Sequence, residues 1–239
     1  TVGILGAGAF GTSLSIALST PNKKLILWTQ NHGTVKSIQE VRENRLRLPG
    51  YILPEQIIAT NDIAEIKDCS IVLIAVPMQQ LRSLVEMHGS ILKGKILVAC
   101  CKGFEVSSGL GPTAILEIAS EKTAVLTGPS FASDLASGFP TALTIASKVE
   151  GLAKYIQKEL GTEILRLYWS NDPIGAELGG ALKNVIAIGC GVTIGAGYGS
   201  SSRAALMTRG YSEIVNIAPF FGAKPETLFG LSGLEDLSL

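Results

Sequence analysis

The first eleven residues, Thr1–Gly11 with the sequence TVGILGAGAFG, decide the fold. An apolar stretch, Val2–Leu5, runs directly into three glycines spaced G-x-G-x-x-G, at Gly6, Gly8 and Gly11. In a dinucleotide-binding turn, the first glycine allows a tight bend, the second lets the backbone approach a pyrophosphate, and the third lets a helix pack closely on the strand. The N-terminus of that helix then faces the phosphate charge. We therefore predict that the chain opens with a dinucleotide-binding unit.

The residues that follow support this prediction. Helical composition continues through Ser19, and a second apolar strand is expected at Leu25–Trp28, as a βαβ unit requires. The alternative is a glycine turn with a purely structural role. In the binding interpretation, the residues of the turn expected to contact the cofactor are Gly6, Gly8, Ala9, Phe10 and Gly11.

Apolar, strand-like segments recur along the chain and are mostly separated by helical or polar stretches. They are Val2–Leu5, Leu25–Trp28, Ile57–Ala59, Ile71–Val76, Ile96–Cys100, Ala124–Thr127, Ala142–Ala146 and Ile164–Tyr168. This alternation is typical of an α/β protein with a doubly wound, Rossmann-type sheet. The segment Ile71–Val76 is continuously apolar, as expected of a parallel strand covered on both faces, and Pro77 ends it. Ligands should gather at the strand ends.

The character of the sequence changes near Trp169. Three helical segments follow, at Ile174–Ile194, Arg203–Phe221 and Lys224–Leu228. We predict a dinucleotide-binding domain over residues 1–169 and the N-terminal part of a mainly helical substrate domain over residues 170–239. The two parts should pack around a shared cleft.

Composition excludes several classes of protein. The 239 residues are 46% hydrophobic and 17% charged, an ordinary globular balance, and the 20 acidic and 20 basic residues cancel. There is thus no electrostatic footprint for nucleic acid or for an anionic membrane surface. The longest uncharged run, Asn184–Ser202, is about as long as a membrane span but is rich in glycine, so we expect a buried helix and a turn.

The cysteines and histidines narrow the chemistry further. Four cysteines without a C-x-x-C pair indicate neither a zinc site nor a disulfide framework, and no secretory signal opens the chain, so we expect a cytoplasmic protein. The two histidines, His32 and His88, leave little material for a metal site or a Ser-His-Asp triad. Proton chemistry should then belong to Lys, Asp or Glu.

Lys183 is the leading candidate for that chemistry. In the segment AELGGALKNVIAIGCG, the residues Gly180, Lys183, Asn184 and Ala187 share one helical face, so a small-residue surface presents an ammonium and an amide. The ammonium could donate a proton to a developing alkoxide, and Lys102 would supply a second positive charge near it. The alternative is a lysine that extends along the helix surface into solvent.

Several stretches together resemble the bacterial NAD(P)-dependent glycerol-3-phosphate dehydrogenases over nearly the whole chain. They are GAGAFGTSL, ENRLRLPGYILP, IVLIAVP, CCKGFE, LTGPSFASDLASGFPTAL, GAELGGALKNVIAIGCG, RAALMTRGYSEI and GAKPETLFGLSGLEDL. The resemblance implies hydride transfer between NAD(P)H and dihydroxyacetone phosphate, which gives sn-glycerol 3-phosphate for phospholipid synthesis. It also implies a general acid/base role for Lys183.

The same resemblance implies the other site residues. Lys102 would contact both cofactor and substrate, Gly128 and Ser130 the substrate, Ala132 the cofactor, and Asp236 the substrate side of the cleft. Lys102 and Asp236 would fix the position and charge of Lys183 and so belong to the catalytic set.

The chain departs from the family pattern at several positions. After the second strand it carries Gln30 instead of an arginine suited to the 2′-phosphate of NADP, so NADP and NAD both remain candidates. Gly199-Ser200-Ser201 replaces Gly-Asp-Asn, Glu235 replaces a glycine, and Arg47 replaces an aromatic residue. The Ser-Arg-Asn motif that binds substrate phosphate in the family is expected beyond Leu239.

Two alternatives stay open at this point. A β-hydroxyacid or 6-phosphogluconate type of dehydrogenase shares the glycine-rich opening and a helix bearing a lysine, but usually places the asparagine four residues after that lysine; here Asn184 follows Lys183 directly. A nucleotide-binding module without turnover is the other. The expected partner is a small phosphorylated substrate, with neither nucleic acid nor a membrane span, and a homodimer is expected.

Overall fold

A computed structural model of the chain describes residues 1–231 and residue 233. The main sheet and a separate hairpin contain ten strands in this part of the chain. The strands are β1 (Val2–Leu5), β2 (Leu25–Trp28), β3 (Glu43–Asn44), β4 (Leu48–Ile52), β5 (Ile57–Thr60), β6 (Ile71–Ile74), β7 (Ile96–Ala99), β8 (Thr123–Thr127), β9 (Thr141–Ala146) and β10 (Leu165–Ser170).

Helices alternate with the strands as far as β10, and the described residues after β10 form helices. The α-helices are α1 (Ala9–Leu18), α2 (His32–Val41), α3 (Leu81–Leu92), α4 (Pro112–Leu116), α5 (Ala132–Ala136), α6 (Leu152–Leu160), α7 (Pro173–Gly195), α8 (Ser200–Ile217) and α9 (Pro225–Leu228). Short 3₁₀ helices lie at Ile63–Ile66, Met78–Gln80 and Ala218–Phe221.

Eight strands form one sheet in the order β10-β9-β8-β7-β6-β1-β2-β5. The chain runs from β1 outward through β2 to β5, then crosses back and continues from β6 on the other side of β1. The strand order therefore reverses between β1 and β6, and ligands of such sheets bind at this point, outside the carboxyl ends of the strands. The doubly wound fold class predicted from the sequence is confirmed.

Both faces of the sheet are covered by apolar side chains. Leu14 of α1, Val35 of α2 and Ile156 of α6 pack on one face, and Leu84 of α3 and Ile115 of α4 pack on the other. All four residues of β6 are buried, which explains why this strand is continuously apolar rather than alternating.

The strand pairing contains one feature that the sequence did not indicate. Six of the seven strand pairings in the main sheet are parallel, but β8 and β9 are antiparallel, with Thr127 opposite Thr144. The connection between them holds one short helix, α5. The strand predicted at Ala142–Ala146 is present as β9, and it runs parallel to β10 and antiparallel to β8.

The expectation of a buried helix over Asn184–Ser202 is also wrong in part. The helix and the following turn are present, since α7 ends at Gly195, but most side chains in this stretch are exposed. Ile186 and Cys190 are buried against α8, whereas Val185, Ile188 and Val192 face away from every described element that packs on α7. By length and composition α7 could also span a membrane, and it is the one described helix of which this is true.

Candidate active site

The glycine-rich turn has the geometry that its spacing predicts. Gly6 has φ +109°, and a Cβ atom there would lie 2.5 Å from the carbonyl oxygen of Ala75, which follows β6. A Cβ on Gly11 would overlap the carbonyl oxygen of Gly6, so α1 can approach the turn only because residue 11 is glycine. A Cβ on Gly8 would meet nothing within 4 Å. The turn is thus tight at two glycines and open at the one that should face a pyrophosphate.

The N-terminus of α1 suits an anion. Gly8 is its N-cap, no side chain in the described part of the chain caps it, and its first turn contains no acidic residue. The amide groups at a helix N-terminus and the helix dipole favour negative charge at this position. A dinucleotide pyrophosphate therefore fits the turn.

A buried asparagine braces the turn from outside the sheet. Asn44 belongs to the β3–β4 hairpin and is fully buried; its Nδ2 donates to the carbonyl oxygen of Ala7 at 2.9 Å and to Oγ1 of Thr12 at 2.8 Å. Neither the hairpin nor this role of Asn44 was predicted from the sequence. Its Oδ1 accepts from the amide of Arg47 within the hairpin, so the buried side chain ties the hairpin to the turn and keeps the turn in one conformation.

Lys102 lies just beyond β7, in a loop that other elements hold firmly. Its Nζ donates to the carbonyl oxygen of Gly128 at 3.2 Å. Three residues further on, the buried carboxylate of Glu105 accepts two bonds from Nε and Nη2 of Arg82, at 2.9 and 2.8 Å, and another from Ser108. The Arg82 guanidinium, helped by Ser108, lowers the pKa of Glu105 to about 2, so the ion pair is kept at any ordinary pH.

Four of the predicted site residues line one cavity of about 270 Å³ at the carboxyl ends of the strands. The lining residues are Phe10, Cys100, Lys102, Leu126, Thr127, Gly128 and Ser130. Phe10 comes from the glycine-rich turn, and Lys102, Gly128 and Ser130 come from the ends of β7 and β8. The structure therefore joins the predicted cofactor turn and three predicted substrate contacts in a single space.

The other two groups of interest in this cavity were not predicted. Burial raises the pKa of the Cys100 thiol, so the thiol stays neutral and lines the cavity without acting as a nucleophile. Thr127 ends β8 and turns out to be buried. In the sequence, only its position directly before Gly128 indicated that Thr127 could lie at the site.

The helix that bears Lys183 is anchored at its N-terminus. The Asp172 side chain caps α7 by accepting from the amide of Gly175 at 2.9 Å, and it also accepts from the amide of Lys224 at 2.8 Å and the hydroxyl of Thr227 at 2.7 Å. This one carboxylate therefore fixes both the start of α7 and the start of α9. Asp172 followed by Pro173 is a helix-start signal, since Asp favours the N-cap and Pro the first helical position.

Glu177 anchors the same helix to the other side of the site. Its Oε1 accepts from the amide of Thr113 at 2.8 Å and from the hydroxyl of Thr113 at 2.6 Å, which ties α7 to the start of α4. The side chain fills the space beside Gly111, where a Cβ would overlap it. Burial raises the pKa of Glu177 to about 7, although the bonds from Thr113 lower it.

Lys183 lies at the end of this anchored segment. One turn earlier, a Cβ on Gly180 would lie 2.9 Å from Thr127 Oγ1 and 3.7 Å from Lys102 Cδ, so α7 packs directly on the cavity wall. Lys183 itself lines a smaller pocket between α7, α8 and α9, which it shares with Gly179, Tyr211, Ile214, Leu228 and Gly233.

The remaining predicted site residues are placed as follows. Ala132 is the first residue of α5, which packs against α1 beside the glycine-rich turn. Gln30 is exposed beyond β2, and its neighbour Asn31 caps α2 through a bond from the amide of Thr34. Asp236, with Glu235, lies outside the described residues.

A doubly wound sheet with a glycine-rich turn at its switch point, joined to a lysine-lined cavity, defines an NAD(P)-dependent oxidoreductase. Comparison with known proteins agrees and is more specific. The family model described as NAD-dependent glycerol-3-phosphate dehydrogenase N-terminus matches residues 1–153, and the model described as its C-terminus matches residues 172–239. The chain belongs to the NAD-dependent glycerol-3-phosphate dehydrogenase family.

Individual relatives support the same assignment. The chain is 52% identical over 241 residues to glycerol-3-phosphate dehydrogenase [NAD(P)+] of Ruegeria sp. (strain TM1040), and the match covers 100% of this chain and 75% of the relative. It is 41% identical to the protein of that name from Neisseria meningitidis, with 99% and 73% coverage. The crystal structure of glycerol-3-phosphate dehydrogenase from Coxiella burnetii superposes with a TM-score of 0.93 at 34% identity, and covers 100% of this chain and 74% of that one.

Proposed function

We propose that the protein transfers hydride reversibly between NAD(P)H and dihydroxyacetone phosphate, with sn-glycerol 3-phosphate as the reduced product. The observation that carries this proposal is the single cavity that brings Lys102, Gly128 and Ser130 together with Phe10 of the glycine-rich turn. Membership of the family supplies the substrate class. The cavity has the cationic and hydroxyl groups that a small phosphorylated ketone needs.

The glycine-rich turn would hold the cofactor. Gly6, Gly8 and Gly11 shape the turn, and the N-terminus of α1 would face the pyrophosphate. Ala9 and Phe10 open the helix, and Ala132 lies on the neighbouring helix α5, so these residues would line the cofactor on either side. When bound, the nicotinamide ring supplies the hydride.

The substrate would lie between Lys102 and α7. The side chains of Lys102 and Ser130 and the backbone of Gly128 would orient it, while the apolar side chains of Phe10 and Leu126 keep water away from the reacting carbon. As C2 gains hydride, its carbonyl oxygen becomes an alkoxide and takes a proton from the Lys183 ammonium, which solvent then replaces. Asp236 is expected on the substrate side of the cleft.

The surroundings of Gln30 bear on the choice of cofactor. The segment from Thr29 to Asn31 carries neither an arginine to pair with a 2′-phosphate nor an acid to hold a free 2′-hydroxyl. We infer that the enzyme accepts both NADPH and NADH.

Domain organisation, cellular location, oligomeric state and metabolic role complete the proposal. The nucleotide-binding domain would comprise residues 1–169 and the helical substrate domain would begin at residue 170. The natural protein would be a cytoplasmic homodimer that feeds phospholipid synthesis.

Initial rates of NADPH and NADH oxidation by the natural full-length chain test the proposal. We expect saturable oxidation of both cofactors with dihydroxyacetone phosphate and none with a β-keto acid of similar size. Cofactor binding measured by fluorescence, without turnover of either compound, would instead indicate a nucleotide-binding module that is not an enzyme. Turnover of the β-keto acid alone would assign the hydroxyacid dehydrogenase reaction.

A further inference from the structure

The hydroxyl of Thr127 is unusual among the buried polar groups of this protein. Thr127 is 4% exposed, and its Oγ1 is the one fully buried side-chain oxygen or nitrogen in the described residues that makes no hydrogen bond. Other buried threonines here use their hydroxyls: that of Thr113 donates to Glu177, and that of Thr12 accepts from Asn44. Because a buried hydroxyl without a partner is unfavourable, a native structure that keeps one calls for an explanation.

The position of Thr127 supplies the explanation. It is the last residue of β8 and lines the same cavity as Lys102, Gly128 and Ser130. On the side of α7, its Oγ1 faces Gly180, whose missing side chain gives the hydroxyl room: a Cβ there would lie only 2.9 Å away. The hydroxyl thus lies against the helix that bears Lys183, at a glycine that the Lys102 side chain also approaches.

We propose that the Thr127 hydroxyl is a further substrate-binding group, which hydrogen-bonds to a hydroxyl or carbonyl oxygen of the bound triose phosphate. This inference rests on the proposed function. The hydroxyl can act as donor and as acceptor, so it suits both the ketone and the alcohol form of the substrate. The Thr127 hydroxyl would make no hydrogen bond in the free enzyme and one in the complex. The free energy of that hydrogen bond would therefore contribute to substrate binding.

Two variants separate this role from a structural one. Thr127→Val replaces the hydroxyl with a methyl group of nearly the same shape, and Thr127→Ser keeps the hydroxyl and removes the methyl group. In the natural full-length chain, we expect Thr127→Val to lower kcat/KM for dihydroxyacetone phosphate about tenfold, the usual effect of one hydrogen bond. Thr127→Ser should stay within about threefold of the wild type, because its hydroxyl remains.

Two further readouts make the assignment specific. The Kd for NADPH, measured by fluorescence titration, should be unchanged in Thr127→Val, because the proposed partner is the substrate. The Tm of the free Thr127→Val protein should equal or exceed that of the wild type, since the substitution removes an unpaired buried hydroxyl. A loss of substrate affinity together with undiminished stability is not the behaviour of a residue that only packs.

Several results would overturn the proposal. Wild-type kinetics in Thr127→Val would show that substrate does not use the hydroxyl, and a weakened Kd for NADPH with an unchanged KM for substrate would assign it to the cofactor. If the wild type itself fails to turn over dihydroxyacetone phosphate, the proposed function fails separately. Calorimetric binding of sn-glycerol 3-phosphate then decides: weaker binding by Thr127→Val supports the role, and equal binding or no binding to either protein contradicts it.

Discussion

The two halves of α7 differ sharply in how they are held. In residues 173–180 every side chain or glycine except Ile174 is buried, and Asp172 and Glu177 tie the helix to α9 and α4. In residues 181–195 only Ile186 and Cys190 are buried, and both pack on the side of α8. Lys183 lies at the junction. The bonds to α4 and α9 therefore fix the helix up to the turn that bears the proposed acid/base, and the rest of the helix is held by its contact with α8.

Among the substitutions that test this difference between the two halves of α7, Asp172→Ala should have the largest effect on stability. The substitution removes the N-cap of α7 and two further bonds, from the Lys224 amide and the Thr227 hydroxyl. We expect the free energy of unfolding to fall by about 3 kcal/mol in urea denaturation. Asp62→Ala is the matched control, because the exposed Asp62 side chain caps only a short 3₁₀ helix and its loss should cost about 1 kcal/mol or less. Equal losses in the two variants would show that the start of α7 is not specially anchored.

Glu177 makes the anchored half sensitive to pH. Because burial raises its pKa from 4.5 to about 7, the folded protein binds a proton here that the unfolded chain has already lost. The free energy of unfolding should therefore fall as the pH rises from about 4.5 to about 7, by about 1 to 3 kcal/mol. Urea denaturation at several pH values measures this fall.

Glu177→Gln provides the control for that titration. Glutamine can still accept the bonds from Thr113, but it carries no titrating proton. The difference in stability between the wild type and Glu177→Gln should change across the pH window. If the difference is constant, Glu177 keeps one charge state throughout.

A pair of glycines compares the two halves directly. Gly180→Ala would place a methyl group 2.9 Å from Thr127 Oγ1, whereas Gly191→Ala would meet nothing within 4 Å. Alanine gains about 1 kcal/mol of helix propensity at either position, but overpacking at residue 180 should cost about 2 kcal/mol. We expect Gly180→Ala to be less stable than the wild type by about 1 kcal/mol, and Gly191→Ala more stable by a similar amount. If both substitutions change the free energy of unfolding in the same direction, the cavity wall must move to accommodate the added methyl group at residue 180.

The smallest effect is expected on the outer face of α7. Ile188 is 69% exposed, so Ile188→Ala should change the free energy of unfolding of the 239-residue chain by less than about 0.5 kcal/mol. The control is Ile186→Ala, two residues earlier but buried against Gly210, which should cost about 2 to 4 kcal/mol. A large loss from Ile188→Ala would reveal that something packs on this face.

The sequence predicted the elements of the sheet well because apolar runs between polar segments mark buried parallel strands. Every strand of the main sheet was expected at its place, and the ends were off by at most two residues, as at Ile71–Ile74. The β3–β4 hairpin was missed because Glu43–Asn44 is too short and polar to show a period. The direction of β9 was missed because a strand's sequence does not encode which way its neighbour runs.

The site residues that belong to a recognisable motif could be predicted from the sequence. Those that reach the site only through tertiary packing could not. The glycine-rich turn and the group of Lys102, Gly128 and Ser130 were named from the sequence, and the structure places the latter three in one cavity. Asn44 and Thr127 were missed. Asn44 matters because it is buried against the turn, and Thr127 because it is buried beside α7. Burial of a single polar residue follows from long-range packing, which no local pattern records.

Lys183→Ala, assayed with dihydroxyacetone phosphate and NADPH in the natural full-length chain, tests the central claim most directly. If Lys183 protonates the substrate oxygen, kcat should fall by about a hundredfold or more while the Kd for NADPH stays unchanged. Lys154→Ala is the matched control, because Lys154 stacks on Trp169 at the edge of the sheet and should leave both quantities unaltered. A Lys183→Ala enzyme that keeps more than about a tenth of the wild-type kcat would contradict the account.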